Sequence, residues 1–129
     1  MKETLRSLHI GYYAYNEIVI YIAEICKKVE KLEICSGEVT DYSICEVFRK
    51  MKCLKVLDIS RCMHFCGIAL SELEEVGCKD LKKLTVSLLG YEMHKCCEKM
   101  NDFVPECVVE FKQYNSYIWY KLFCLDKKE

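Results

Sequence analysis

Apolar and polar residues alternate in four short stretches of this chain. Leu8 and Ile10 stand two residues apart and share one face of an extended segment, with Ser7 and His9 on the other. The same alternation sets Leu32 and Ile34 against Lys31 and Glu33, Leu57 and Ile59 against Val56 and Asp58, and Leu84 and Val86 against Lys83 and Thr85. The inward set is aliphatic in every copy and the outward set is mostly polar. Strands are therefore expected near 7–10, 31–34, 56–59 and 83–86. Between them the period changes from two to nearly four. Ile18, Ile22 and Cys26, flanked by Val19 and Ala23, follow Tyr15 and Asn16, a start suited to helix capping. Asp41 is expected to cap a second helix burying Ile44, Val47, Phe48 and Met51. A third stripe, Ile68, Ala69, Leu73 and Val76, ends at Gly77.

With the apolar residue that leads each strand included, the pattern is leucine-x-x-leucine-x-isoleucine: Leu5-Leu8-Ile10, Val29-Leu32-Ile34, Leu54-Leu57-Ile59 and Leu81-Leu84-Val86. The copies start at 5, 29, 54 and 81, so they recur at intervals of 24, 25 and 27 residues. A period in the twenties with one strand and one helix per unit is the mark of a leucine-rich repeat solenoid. The expected fold is thus α/β, about four repeats, with a short curved parallel sheet on the concave side and helices on the convex side. Neighbouring repeats must cover one another's leucines, since a single unit cannot bury its own. Residues 1–89 form the repeats; 90–129 carry no further copy of the motif and are expected to be a C-terminal cap or a divergent tail. Within that tail, Val108–Phe111 and Tyr117–Leu125 could be strands or a short helix packed on the last repeat. The chain opens inside a strand motif with nothing ahead to cover the first repeat, as in a piece cut from a longer solenoid.

Composition narrows the function. Nineteen basic and twenty acidic residues give a net charge of −1, which argues against nucleic acid or an anionic membrane as partner. No apolar run approaches the length of a membrane span, and the N-terminus lacks a signal-peptide pattern. Eleven cysteines, an odd number, are then expected to be reduced thiols in a cytoplasmic or nuclear protein rather than a disulfide framework. Cys26, Cys53, Cys62 and Cys78 fall in step with the repeat, as small apolar packing residues would. Cys62, His64 and Cys66 alternate, and His94, Cys96, Cys97 and Cys107 follow, but no two well-spaced pairs converge on a tetrahedral zinc site. No phosphate loop, nucleophile elbow or metalloprotease motif is present. Neither enzyme activity, cofactor nor metal is expected.

The cysteine-bearing form of the repeat carries a resemblance. "CKKVEKLEIC", "KCLKVLDISRC" and "GCKDLKKLTV" are similar to the repeats of plant F-box/leucine-rich-repeat proteins, as is "LHIGYYAYNEIVIYIAE" followed by "LKVLDISRCMHFCGIALSELEEVGCKDLKKL". It covers residues 1 to about 89. The resemblance implies the substrate-recognition half of an adaptor for a cullin-type (SCF) ubiquitin ligase, with a protein substrate held on the concave face. The F-box that would bind a Skp-type linker is absent from this sequence, so the linker is a partner only if the full-length protein carries one. The candidate binding residues are the outward strand positions Ser7, His9, Lys31, Glu33, Val56, Asp58, Lys83 and Thr85, with Arg61 just beyond. The competing reading is a stand-alone short repeat scaffold or decoy, unrelated to ubiquitination, whose bare first strand could pair with another repeat protein.

Overall fold

A computed structural model describes residues 4–76, 78–87, 91–102 and 104–112. Its sheet has five strands, β1 (Ser7–Ile10), β2 (Lys31–Ile34), β3 (Val56–Asp58), β4 (Lys83–Ser87) and β5 (Val108–Lys112), ordered as in the chain. All neighbours are parallel. Helices α1 (Asn16–Ile25), α2 (Asp41–Lys50), α3 (Glu72–Val76) and α4 (Tyr91–Met100) connect them, with a 3-10 turn at Ile68–Ser71 before α3. This is the α/β repeat solenoid that the periodicity predicts.

The register places like on like. Leu8, Leu32, Leu57, Leu84 and Val109 stand side by side across the sheet. Leu32, Leu57 and Leu84 are wholly buried, and so are the leading residues Val29, Leu54 and Leu81. Burying such a side chain stabilises by roughly 1.5–3 kcal/mol, and here each is buried by the repeats on either side. The helices close the core from the other layer through Val19 and Ala23 of α1, Ile44, Val47 and Phe48 of α2, and Leu73 of α3.

The fifth strand lies within 90–129, where the sequence pattern shows no copy. Its unit runs Val104, Cys107, Val109, Phe111, and its leading residue is two positions before the inward valine rather than three. The backbone nevertheless follows the earlier repeats: Cys107 N–H donates to Val104 O as Leu81 N–H donates to Cys78 O, and Val108 N–H donates to Lys82 O. Tyr117–Leu125 and Gly77 lie outside the described residues.

Polar side chains fasten the first repeat to the second and the second to the third at the start of the helices. The Asn16 amide exchanges two hydrogen bonds with Thr40: its Nδ2 donates to Oγ1 and its Oδ1 accepts from the backbone N–H, each at 3.0 Å. Thr40, not Asp41, caps α2, accepting from Tyr42 N–H at 3.3 Å. Asp41 reaches forward one repeat instead and accepts from the N–H groups of Cys66, Gly67 and Ala69 at 2.7, 3.1 and 2.8 Å. It thereby caps the 3-10 turn of the following unit, whose N-cap Gly67 has φ of 100°, a conformation costly for any residue with a Cβ. Two apolar positions turn out of the core. Ile68 is 67% exposed because the 3-10 turn rotates it outward, and Ile18 lies on the open flank of α1.

Candidate protein-binding face

The outward positions form two rows across the sheet. Ser7, Lys31, Val56, Lys83 and Val108 make the first, and His9, Glu33, Asp58, Thr85 and Glu110 the second. The first row is basic and apolar; the second is mainly acidic. Adjacent parallel strands lie about 4.8 Å apart, so neighbours in a row act on one another directly. The His9 ring lies 3.2 Å from Glu33 within the second row, and the Lys83 ammonium reaches diagonally from the first row to Glu110 at 3.2 Å. Asp58 accepts from the N–H and hydroxyl of Ser60 at 3.0 and 2.6 Å, which ties its carboxylate to the end of its own strand. At the entry to the strands Glu30 lies between Arg6 at 3.8 Å and Lys55 at 3.6 Å.

The nine candidate residues do not share one environment. Ser7, His9, Lys31 and Lys83 are exposed, and Glu33, Val56 and Asp58 are half-buried. Arg61 is half-buried in the turn after β3, off the ladder. Thr85 is the exception to solvent contact on this face. Its short side chain sits between the longer Asp58 and Glu110 in the row and is only 3% exposed. Sequence reasoning missed two members of the face, Val108 and Glu110, because the unit that carries them has the shortened spacing. It also missed an aromatic rim. Tyr12 and Tyr13, in the loop after β1, are 70% and 93% exposed. Large exposed tyrosines beside a polar sheet are characteristic of residues that anchor protein interfaces; the run Tyr-Tyr-Ala-Tyr at 12–15 was the available signal.

The thiols belong to the framework. Cys26, Cys35, Cys62, Cys78, Cys97 and Cys107 are buried, and ten cysteines among the described residues are free. Cys62 donates from Sγ to the carbonyl of Ile34 in the preceding repeat at 3.5 Å. Burial pushes the Cys62 thiol up to about 12, and those of Cys78, Cys97 and Cys107 to about 11. The most exposed of them, Cys66, is also raised, by partial burial and by the Asp41 carboxylate its thiol faces. A reactive or metal-binding cysteine needs the opposite shift. Among the described residues no cluster of three or more His, Cys, Asp or Glu side chains could hold a metal ion. A cleft between the 3-10 turn and α4, lined by Ile68, Leu70, Glu74, Cys96 and Lys99, has a volume of about 210 Å³. That is less than the roughly 300–1,000 Å³ of ordinary small-molecule sites. Among the described residues no helix is long and apolar enough to cross a membrane.

No family model matches the chain, and no curated protein sequence is significantly similar to it. Among solved structures, it is similar to one described as a tropomodulin C-terminal domain from Caenorhabditis elegans structural genomics. The two superpose with a TM-score of 0.63 over 97% of this chain and 83% of the other, at 12% identity. At that identity the likeness is one of fold, and the fold is that of a leucine-rich-repeat-like solenoid.

Proposed function

We propose that the chain is a protein-interaction module that holds a partner against the concave sheet, and that it binds without catalysing a reaction. The observation that supports this most is the pair of rows just described. Five parallel strands present a basic and an acidic stripe side by side on a rigid support, with an aromatic rim at the β1 end. Such a face selects a folded protein or peptide carrying both signs of charge and some apolar surface. The buried, unreactive thiols favour binding over chemistry.

Within that reading, the sequence resemblance favours the substrate-recognition repeats of an F-box/leucine-rich-repeat adaptor of a cullin-type ubiquitin ligase, acting in the cytoplasm or nucleus. A Skp-type linker would join only through an F-box outside these residues. The test has two arms. A partner captured on the wild-type chain should lose affinity about tenfold or more when Lys31→Glu and Glu33→Lys are combined, with the circular dichroism unchanged. Unchanged binding would remove the concave face from the site. The gene's full product should co-purify with a Skp-type linker; its failure to do so would leave the stand-alone scaffold as the better reading.

A further inference from the structure

Every strand of this sheet is entered from the same end, so the turns leading from each helix into the next strand stack along one edge of the solenoid. The stacking is direct. Lys55 and Val56 N–H donate to Glu30 O at 2.7 and 2.9 Å, and Lys82 and Lys83 N–H donate to Lys55 O at 2.8 and 3.1 Å. Each turn also closes in the same way, with Val29, Leu54 and Leu81 N–H donating to the carbonyls of Cys26, Met51 and Cys78. The residue after each of those carbonyls is a lysine, so Lys27, Lys52 and Lys79 form a column across the repeats. Lys55 and Lys82 stand side by side in a second column, and all five are exposed. The segments 27–31, 50–55 and 79–83 carry three lysines each, whereas 8–26, 32–48 and 62–76 carry no lysine or arginine. A chain with a net charge of −1 thus gathers cations on one edge.

The helix dipole accounts for only part of this edge. It favours a cation in the last turn of a helix or just past it. That covers Lys27, Lys52 and Lys79 but not Lys55 and Lys82, which stand at the entries to β3 and β4. Internal pairing does not cancel the charge either. Glu30 lies 3.6 Å from Lys55 and Glu106 3.2 Å from Lys82. Among the described residues, however, no carboxylate forms an ion pair with Lys27, Lys28, Lys52 or Lys79. Equivalent backbones in neighbouring repeats are about 4.8 Å apart, so the column holds like charges against one another. An anionic partner would relieve that repulsion.

Building on the reading of the chain as an interaction module, we propose that this edge binds an acidic polypeptide segment laid across the repeats beside the concave face. Two observations favour a peptide over nucleic acid or an anionic membrane. Carboxylates interrupt the edge at Glu30, Asp80 and Glu106, and the acidic row of the adjoining face stands just inside it. An unbroken line of phosphates would meet them, whereas a peptide can set neutral residues opposite. Between the edge and the acidic row, Val56 and Val108 offer apolar contact to those neutral residues. Five strands about 4.8 Å apart span about 19 Å, which about six residues of extended chain would cover.

Fluorescence anisotropy of a short labelled peptide, glutamate pairs separated by leucine, titrated with the 129-residue chain tests the proposal. The peptide should bind, and more weakly as salt rises. Lys52→Gln with Lys79→Gln should weaken binding about tenfold or more, and Lys52→Arg with Lys79→Arg should retain it. Lys95→Gln with Lys112→Gln removes the same charge from α4 and from the far end of β5 and should leave binding unchanged. All four lysines are exposed, so the far-UV circular dichroism should not move. Absence of binding at about millimolar concentration would overturn the proposal, as would equal weakening by the two glutamine pairs. Tighter binding of a single-stranded oligonucleotide or of phosphatidylserine vesicles than of the peptide would overturn it too, by assigning the edge to another anion. The edge and the concave face are separable. A partner that responds to the Lys31 and Glu33 exchange but not to Lys52→Gln with Lys79→Gln would overturn the edge alone. Peptide binding that depends on Lys52 and Lys79 would support the edge even where that exchange has no effect.

Discussion

The second repeat and the first follow the same pattern of apolar positions, yet they sit in different surroundings. In β2 and α2, the residues Leu32, Ile44, Val47, Phe48 and Met51 have no exposed surface. In β1 and α1, Leu8 and Ile22 stand where Leu32 and Val47 do and remain half-buried, while Val19 and Ala23, the counterparts of Ile44 and Phe48, are buried. The residue types do not account for that contrast, because leucine and isoleucine fill both sets. Among the described residues the second repeat has neighbours on both sides and the first has one. Burial in this fold is a property of the stack, and so is the stability each side chain contributes.

Leucine truncation should expose the contrast most strongly. Leu57→Ala removes a wholly buried side chain between two repeats and should cost about 2–5 kcal/mol. Leu8→Ala in the half-open first repeat should cost less than about 2 kcal/mol. Urea melts of the two variants check this, and equal losses would mean that the stack does not govern burial. Next in size, Asp41→Ala leaves the N–H groups of Cys66, Gly67 and Ala69 without their acceptor. A loss of about 1–3 kcal/mol is expected by the same measurement. Alanine at Asp58, which holds the end of its own strand through Ser60, should cost less.

The buried thiols give a pH-dependent version of the comparison. The unfolded chain releases a cysteine proton near the ordinary value of about 8.5. The native chain holds those of Cys62, Cys78, Cys97 and Cys107 to about 11 or 12 because burial disfavours the thiolate. Between those values the native state binds more protons, so stability is full below about pH 8.5 and falls as pH rises toward 11. The urea midpoint under reducing conditions should fall across that window, and Cys62→Ala should flatten the fall; a midpoint constant to pH 10 would contradict the burial. The smallest effect is expected on the convex surface. The Lys50 ammonium holds the Glu24 carboxyl below the usual range by hydrogen bond and charge. Both groups are open to solvent, so Glu24→Gln should leave the midpoint unchanged within error.

These contrasts also explain what could be read from the letters. Strand positions were legible because alternation and a period of 24 to 27 residues are local properties, and Leu8, Leu32, Leu57 and Leu84 keep both. The fifth strand was legible only as one of two alternatives, strand or short helix over Val108–Phe111, because Cys107 replaces the leading leucine and stands one residue closer to Val109 than the motif allows. Its partner, β4, is what makes it a strand. Asp41 looked like the cap of its own helix, since its bonds to the next repeat depend on a turn 25 to 28 residues later in the chain. On the candidate face, alternation identified which side chains point outward. It could not show that Thr85 is covered or that Asp58 is held by Ser60, since both depend on neighbours and turns rather than period.

Native-state hydrogen exchange, at a concentration where the chain is monomeric, tests the stacked five-strand sheet most directly. The amides of β2, β3 and β4 should exchange slowest and together. Those of Val108–Lys112 should share in that protection, and within β1 Leu8 and Ile10 should be slower than Ser7 and His9. Exchange of Val108–Lys112 at the rate of an unfolded peptide, or equal rates along β1, would contradict the account.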